Sequence, residues 1–167
     1  MAYTAEDVKK LRELTAAGML DCKKALDETN GDYDKAVALL KEKGFAAAAK
    51  RAERETAEGM VEVYMHHNKR LGALVELNCE TDFVARTEDF KGLAQKIALQ
   101  VAGANPLYIA KDEIPSGSDD SPKDVCLLEQ AFIQDESMTV GQLIQATIAK
   151  TGENIRVKRF ARFELGR

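Results

Sequence analysis

Apolar positions in residues 1–44 recur at helical spacing in three short runs. Thr4 stands ahead of the first, with Asp7 three residues on as a capping-box partner. Val8, Leu11 and Leu14 share one face of that run, and Lys9, Lys10, Arg12 and Glu13 fill the other. Gly18 is expected to end this helix. The second run covers residues 19–28 and stops at Asn30-Gly31, a pair suited to the left-handed conformation after a helix. Asp32 caps the third, whose Ala36, Val37, Leu39 and Leu40 face inward, and Gly44 is expected to close it. Three helices this short bury only a marginal core. Residues 45–58, FAAAAKRAERETAE, favour a helix but offer only methyl groups for burial, and so read as a helical linker.

From Gly59 the period becomes that of strands. MVEVYMH, a turn at HNKR and then LGALVELN predict an antiparallel hairpin. NCETDFVART follows as a polar loop interrupted by Phe83 and Val84. Thr87 then caps the strongest helix signal in the chain, with Phe90, Leu93, Ala94, Ile97, Ala98 and Val101 on one face and Asn105-Pro106 as its end. Residues 111–124, KDEIPSGSDDSPKD, predict an acidic, mobile loop, and VCLLEQAFI predicts a strand. Thr139 and Gln142 form a capping box ahead of Val140, Leu143, Ile144 and Ile148, with Gly152 as the stop. The closing NIRVKRFARFELGR alternates like a half-buried strand. It puts Ile155, Val157, Ala161, Phe163 and Leu165 on one face and Arg156, Lys158, Arg162 and Glu164 on the other, with Arg159 and Phe160 out of step. The fold class these elements predict is α+β: a three-helix unit (1–44), a helical linker (45–58) and a core (59–167) in which a small antiparallel sheet carries helices on one face.

Composition narrows the function more than the fold. With 167 residues, 45% hydrophobic and 31% charged, the chain has room for one ordinary domain or two small ones. A formal net charge of -4 argues against a dedicated nucleic-acid binder. Two local basic clusters, Lys9, Lys10, Arg12, Lys23 and Lys24, then Arg156, Lys158, Arg159 and Arg162, read as solvated faces or as a face docking on an acidic protein. No apolar run approaches the ~20 residues of a bilayer span, and the N-terminus lacks a signal-peptide layout, so the cytoplasm is the expected compartment.

The chemistry inventory is sparse. Cys22, Cys79 and Cys126 are scattered, with neither a disulfide framework nor zinc-ligand spacing. His66 and His67 adjoin at a strand end, where neighbours point to opposite faces. No nucleophile elbow, phosphate loop or zinc-binding helix motif occurs. No enzyme activity, cofactor or resident metal is therefore expected. NCETDFVAR, residues 78–86, resists a bland account. Either Phe83 and Val84 staple the next helix, or Phe83 stands out beside Asp82 as an apolar wedge for a partner.

NCETDFVAR after a hydrophobic hairpin resembles the signature of the elongation factor Ts family, the nucleotide-exchange factors of bacterial and organellar translation. The stretch VKKLRELTAAGMLDCKKALDETNGDYDKAVALLKEKG and the closing GENIRVKRFARFELG are similar to the same family's two ends, so the resemblance spans the chain. It implies that residues 1–44 form a domain like the ubiquitin-associated fold that docks on the GTPase domain of elongation factor Tu. The positions matching the docking contacts are Lys9, Arg12, Met19 and Leu20; the family usually has a second Met at Leu20. Thr81, Asp82, Phe83 and Val84 match the segment that, in the family, dislodges magnesium from elongation factor Tu. The chain also departs from the pattern. Typical members carry a longer helical stretch where SGSDDSPKD stands, and long members duplicate the core. A short single-core form implies a homodimer paired through residues 59–167. Competing readings are a ubiquitin-associated-like adaptor and a ribosome-associated protein binding RNA through its basic C-terminal strand.

Overall fold

The computed structural model describes residues 3–167. Helices α1 (Ala5–Thr15), α2 (Met19–Glu28) and α3 (Tyr33–Ala49) come first. Thr4 and Asp7 close a reciprocal capping box on α1, and Asp32 accepts the Lys35 N–H to cap α3. The predicted Asn30-Gly31 break is present, both residues having positive φ. Val8, Leu11, Cys22, Ala25, Leu26, Ala36 and Leu40 form a hydrophobic cluster among these helices.

Four expectations for this region are overturned. Ala16, at φ 55°, ends α1, while Gly18 is extended and precedes α2. Leu14 is 62% exposed and lines a cleft of about 530 Å³ with Phe45, Leu93, Met138 and Leu143, instead of joining Val8 and Leu11. Gly44 lies inside α3, where a Cβ would sit 3.1 Å from that of Ala149, so the glycine marks a close helix crossing instead of a helix end. The helix beyond it stops at Ala49, and residues 50–57 are turns and extended chain despite their helix-forming composition. The reason is tertiary: the buried Asn154 side chain donates to the carbonyls of Ala52 and Arg54.

The hairpin β1 (Glu58–Met65) and β2 (Leu71–Cys79) is antiparallel, as predicted. Gly59, the second residue of β1, has φ 151° and lies where a Cβ would be 2.1 Å from the Leu77 carbonyl oxygen, an approach only glycine permits. A four-residue helix α4 (Asp82–Ala85) replaces the predicted polar loop, and α5 (Glu88–Ala104) follows from the Thr87 cap to a left-handed Asn105. Phe90, Leu93, Ala94, Ile97, Ala98 and Val101 are all buried against the sheet.

The 111–124 segment holds a 3-10 turn (Lys111–Glu113) and ends in α6 (Pro122–Val125). Its base is closed by Tyr108 pairing with Cys126 and by a Lys111–Glu129 ion pair at 3.1 Å. VCLLEQAFI is not a strand: a 3-10 turn (Leu127–Glu129) precedes the two-residue β3 (Ala131–Phe132), which pairs with β4 (Asp135–Thr139). The buried Gln100 amide donates to the Ala131 carbonyl and accepts the Ile133 N–H, so a side chain on α5 takes the place of a neighbouring strand.

Helix α7 (Val140–Thr151) carries the predicted Thr139–Gln142 capping box and stops at left-handed Gly152. Strand β5 (Ile155–Glu164) completes a three-stranded sheet in the order β1-β2-β5. Its register shifts opposite Glu76 and Leu77, whose partners are Arg159 and Val157, leaving Lys158 as a bulge. One extra residue exchanges the faces beyond it. Phe160 therefore packs on the core, Arg162 donates to the Ala102 carbonyl at the end of α5, and Phe163 and Leu165 point outward, contrary to the simple alternation. The result is α+β, with α5 and α7 on one face of the sheet and the hydrophobic core between them.

Candidate functional site

Residues 79–87 make the corner where β2 leaves the sheet and α5 begins. Thr81 is extended (φ -128°, ψ 155°) and its hydroxyl accepts the Val84 N–H at 3.4 Å, which caps α4. Asp82 lies in the first turn, where a carboxylate suits the helix dipole, and pairs with Arg86 at 2.9 Å. Phe83 is 78% exposed, whereas Val84 packs on the core. The two apolar residues thus part company: Phe83 does not staple α5, and its ring stands in solvent.

The support beneath this corner is polar and comes from distant segments. Cys79 is buried and its thiol donates to the Thr81 carbonyl at 3.1 Å. Burial, aided by the negative charge of Glu153, pushes the Cys79 thiol up to about 11, so it remains protonated at neutral pH. Glu153 accepts hydrogen bonds from Thr81, and Glu80 accepts the Asn154 N–H at 2.7 Å. Sequence reasoning passed over Glu153 and Asn154; the only signal was a carboxylate and an amide directly after the Gly152 helix stop.

Lys9 and Arg12 are exposed on α1, and Met19 and Leu20 are exposed at the start of α2, with Leu20 the most exposed large apolar residue of the first three helices. These four residues lie on a separate hydrophobic unit from Thr81, Asp82, Phe83 and Val84. The second basic cluster is not one patch: Arg159 pairs with Glu76 at 2.6 Å, while Arg162 turns inward. His66 and His67 lie in the turn beyond β1, where strand alternation does not apply, with ring centroids 4.2 Å apart. Among the described residues, no three His, Cys, Asp or Glu side chains are grouped to hold a metal ion, and no helix is long and apolar enough to cross a membrane.

One further surface was not anticipated. The sheet face away from the helices exposes Val61, Val63 and Met65 of β1, Leu74 of β2 and Phe163 of β5. Val63, Leu74 and Ala161 lie in one cross-strand row, and Met65, Gly72 and Phe163 in the next.

The family model described as Elongation factor TS matches residues 2–123 and 119–167. The chain is similar to elongation factor Ts of Heliobacterium modesticaldum, at 48% identity over 98% of this chain and 90% of the relative. It is also similar to those of Fervidobacterium nodosum, at 44% over 99% and 100%, and Thermotoga maritima, at 45% over 99% and 98%. The first alignment spans 193 positions although the chain has 167 residues, so these relatives carry residues that this chain lacks. The two matched segments meet at 119–123, within the acidic loop.

Proposed function

Since the chain belongs to the elongation factor Ts family, the nucleotide-exchange factors of translation elongation, we propose that it binds elongation factor Tu in its GDP form and disturbs that partner's magnesium site, so that GDP leaves and GTP can enter. No covalent step is involved. The observation that carries this reading is Phe83, a large apolar ring held 78% exposed on a capped turn beside the Asp82 carboxylate.

The energetics suit the task. Burying a phenylalanine is worth about 1.5–3 kcal/mol, on the order of ten- to a hundredfold in an equilibrium. Magnesium demands near-ideal octahedral geometry, so a wedge that shifts its ligands by a fraction of an ångström weakens its hold on the GDP phosphates. Linkage then makes the effect reciprocal: factor and nucleotide each weaken the other's binding by the same factor. Residues 1–44 supply docking, with Lys9 and Arg12 contributing charge and Met19 and Leu20 apolar contact. Leu in place of Met at position 20 conserves volume and costs little.

The core pairs with a second copy of the chain through the outer sheet face. Val61, Val63, Met65, Leu74 and Phe163 form an apolar surface of the kind that marks an interface, and sheets stack readily face to face. A two-fold dimer needs one self-complementary patch, and the apolar outer sheet face offers one. The exchange reading is tested by release of labelled GDP from purified elongation factor Tu. Substoichiometric protein should accelerate it, and no acceleration at saturating protein contradicts the reading.

A further inference from the structure

Glu153 and Thr81 are 72 residues apart in the chain and meet through two hydrogen bonds. Glu153 Oε2 accepts the Thr81 N–H at 3.0 Å, and Oε1 accepts the Thr81 hydroxyl at 2.6 Å. The exchange is mutual across the same two segments: Glu80 Oε1 accepts the Asn154 N–H at 2.7 Å and lies 3.5 Å from Arg54 Nη1. Asn154 is 1% exposed, and its Nδ2 donates to the carbonyls of Ala52 at 3.2 Å and Arg54 at 2.8 Å. The turn between α7 and β5 therefore grips both the chain entering β1 and the corner carrying Phe83.

A threonine hydroxyl has one hydrogen to give and two lone pairs to receive. With its hydrogen directed to Glu153, the Thr81 oxygen turns its lone pairs toward the Val84 N–H, the capping bond of α4. The Thr81 carbonyl accepts from the Cys79 thiol and the Ala85 N–H. Every polar group of Thr81 is thus engaged. This matters because α4 has four residues, too few to hold a helical turn by its own propensity. The direction of Phe83, two residues beyond Thr81, depends on what fixes Thr81.

We propose that Glu153 is a positioning residue for nucleotide exchange. It locks Thr81 in its capping geometry, so that Phe83 meets the partner already oriented and binding does not have to order it. The proposal rests on the wedge role of Phe83, and Glu153 acts through its two hydrogen bonds to Thr81.

The test uses the full chain with Glu153→Ala and Glu153→Gln, the latter keeping one acceptor oxygen of two. Amide hydrogen exchange at Val84, Ala85 and Arg86 should quicken about fivefold in Glu153→Ala, the scale of a lost helix cap, and less in Glu153→Gln, with α5 amides unchanged. Stimulated release of labelled GDP should slow at saturation about fivefold, while the concentration giving half the maximal effect stays within about twofold. In a Phe83→Ala background, Glu153→Ala should slow release no further. Should Glu153→Ala fail to fold, Glu153→Asp keeps the charge but draws the carboxylate back from Thr81, and should give the same quickening at Val84. Unchanged exchange at Val84, or an undiminished effect in the Phe83→Ala background, overturns the proposal. If Phe83→Ala alone leaves GDP release unchanged, the wedge role itself fails; the amide exchange then decides whether Glu153 holds Thr81.

Discussion

Phe83 and Val84, adjacent on a single helical turn, face opposite environments: the phenylalanine ring is 78% exposed and the valine packs on the core beneath the sheet. Valine anchors the turn and phenylalanine is free to engage something else. Stability and exchange should therefore separate. Val84→Ala should lower unfolding free energy by about 1 kcal/mol, and Phe83→Ala should change it by less than about 0.5 kcal/mol, as read from urea unfolding. A larger loss from Phe83→Ala would mean that the ring has a structural role.

The outer sheet face yields a second prediction. Leu74 lies between Val63 and Ala161 in the central row. Leu74→Lys should convert a dimer into a monomer in sedimentation at micromolar concentration without unfolding the chain, because the side chain is exposed in the isolated subunit. A wild-type chain that sediments as a monomer over that range contradicts the dimer.

Gly59→Ala should be severe. The added Cβ would lie 2.1 Å from the Leu77 carbonyl oxygen, and φ 151° is strained for any other residue. We expect a loss of about 2 kcal/mol or more, measured by thermal unfolding.

Acid should attack the first three helices at their caps. Asp7 is held below the usual carboxylate range, first by the Thr4 backbone N–H and then by its hydroxyl. Asp32 is lowered first by its side-chain bond to Lys35, then by the Lys35 backbone N–H. A folded value below the unfolded one stabilises the fold above the unfolded carboxylate range and loses that contribution as pH falls through the folded value. Amide exchange in the first turns of α1 and α3 should therefore quicken below about pH 4, and Asp7→Asn should remove most of the pH dependence in α1. Exchange in α1 that is independent of pH after correction for intrinsic rates would contradict this.

Short-range features were legible in the sequence: the Thr4, Asp32, Thr87 and Thr139 caps, the Asn30-Gly31 break and the hairpin each depend on neighbours within a few residues. What was missed depends on partners far along the chain. Lys158 becomes a bulge only against Glu76 and Leu77, and that reversal sends Phe163 outward. Gly44 sits inside α3 where Ala149 approaches closely, and Ala131 needs no second strand neighbour because Gln100 supplies its bond. The candidate site divides in the same way. A phenylalanine in a polar stretch was visible as an anomaly, but the Glu153 that steadies its turn sits 72 residues away.

If Phe83 drives nucleotide release by inserting into the partner, single-turnover release of labelled GDP from elongation factor Tu reads that insertion. At saturating concentration, Phe83→Ala should slow stimulated release by at least about tenfold, the scale of one phenylalanine burial, while the variant stays folded. Release by Phe83→Ala as fast as by the unaltered chain would mean that Phe83 is not the wedge.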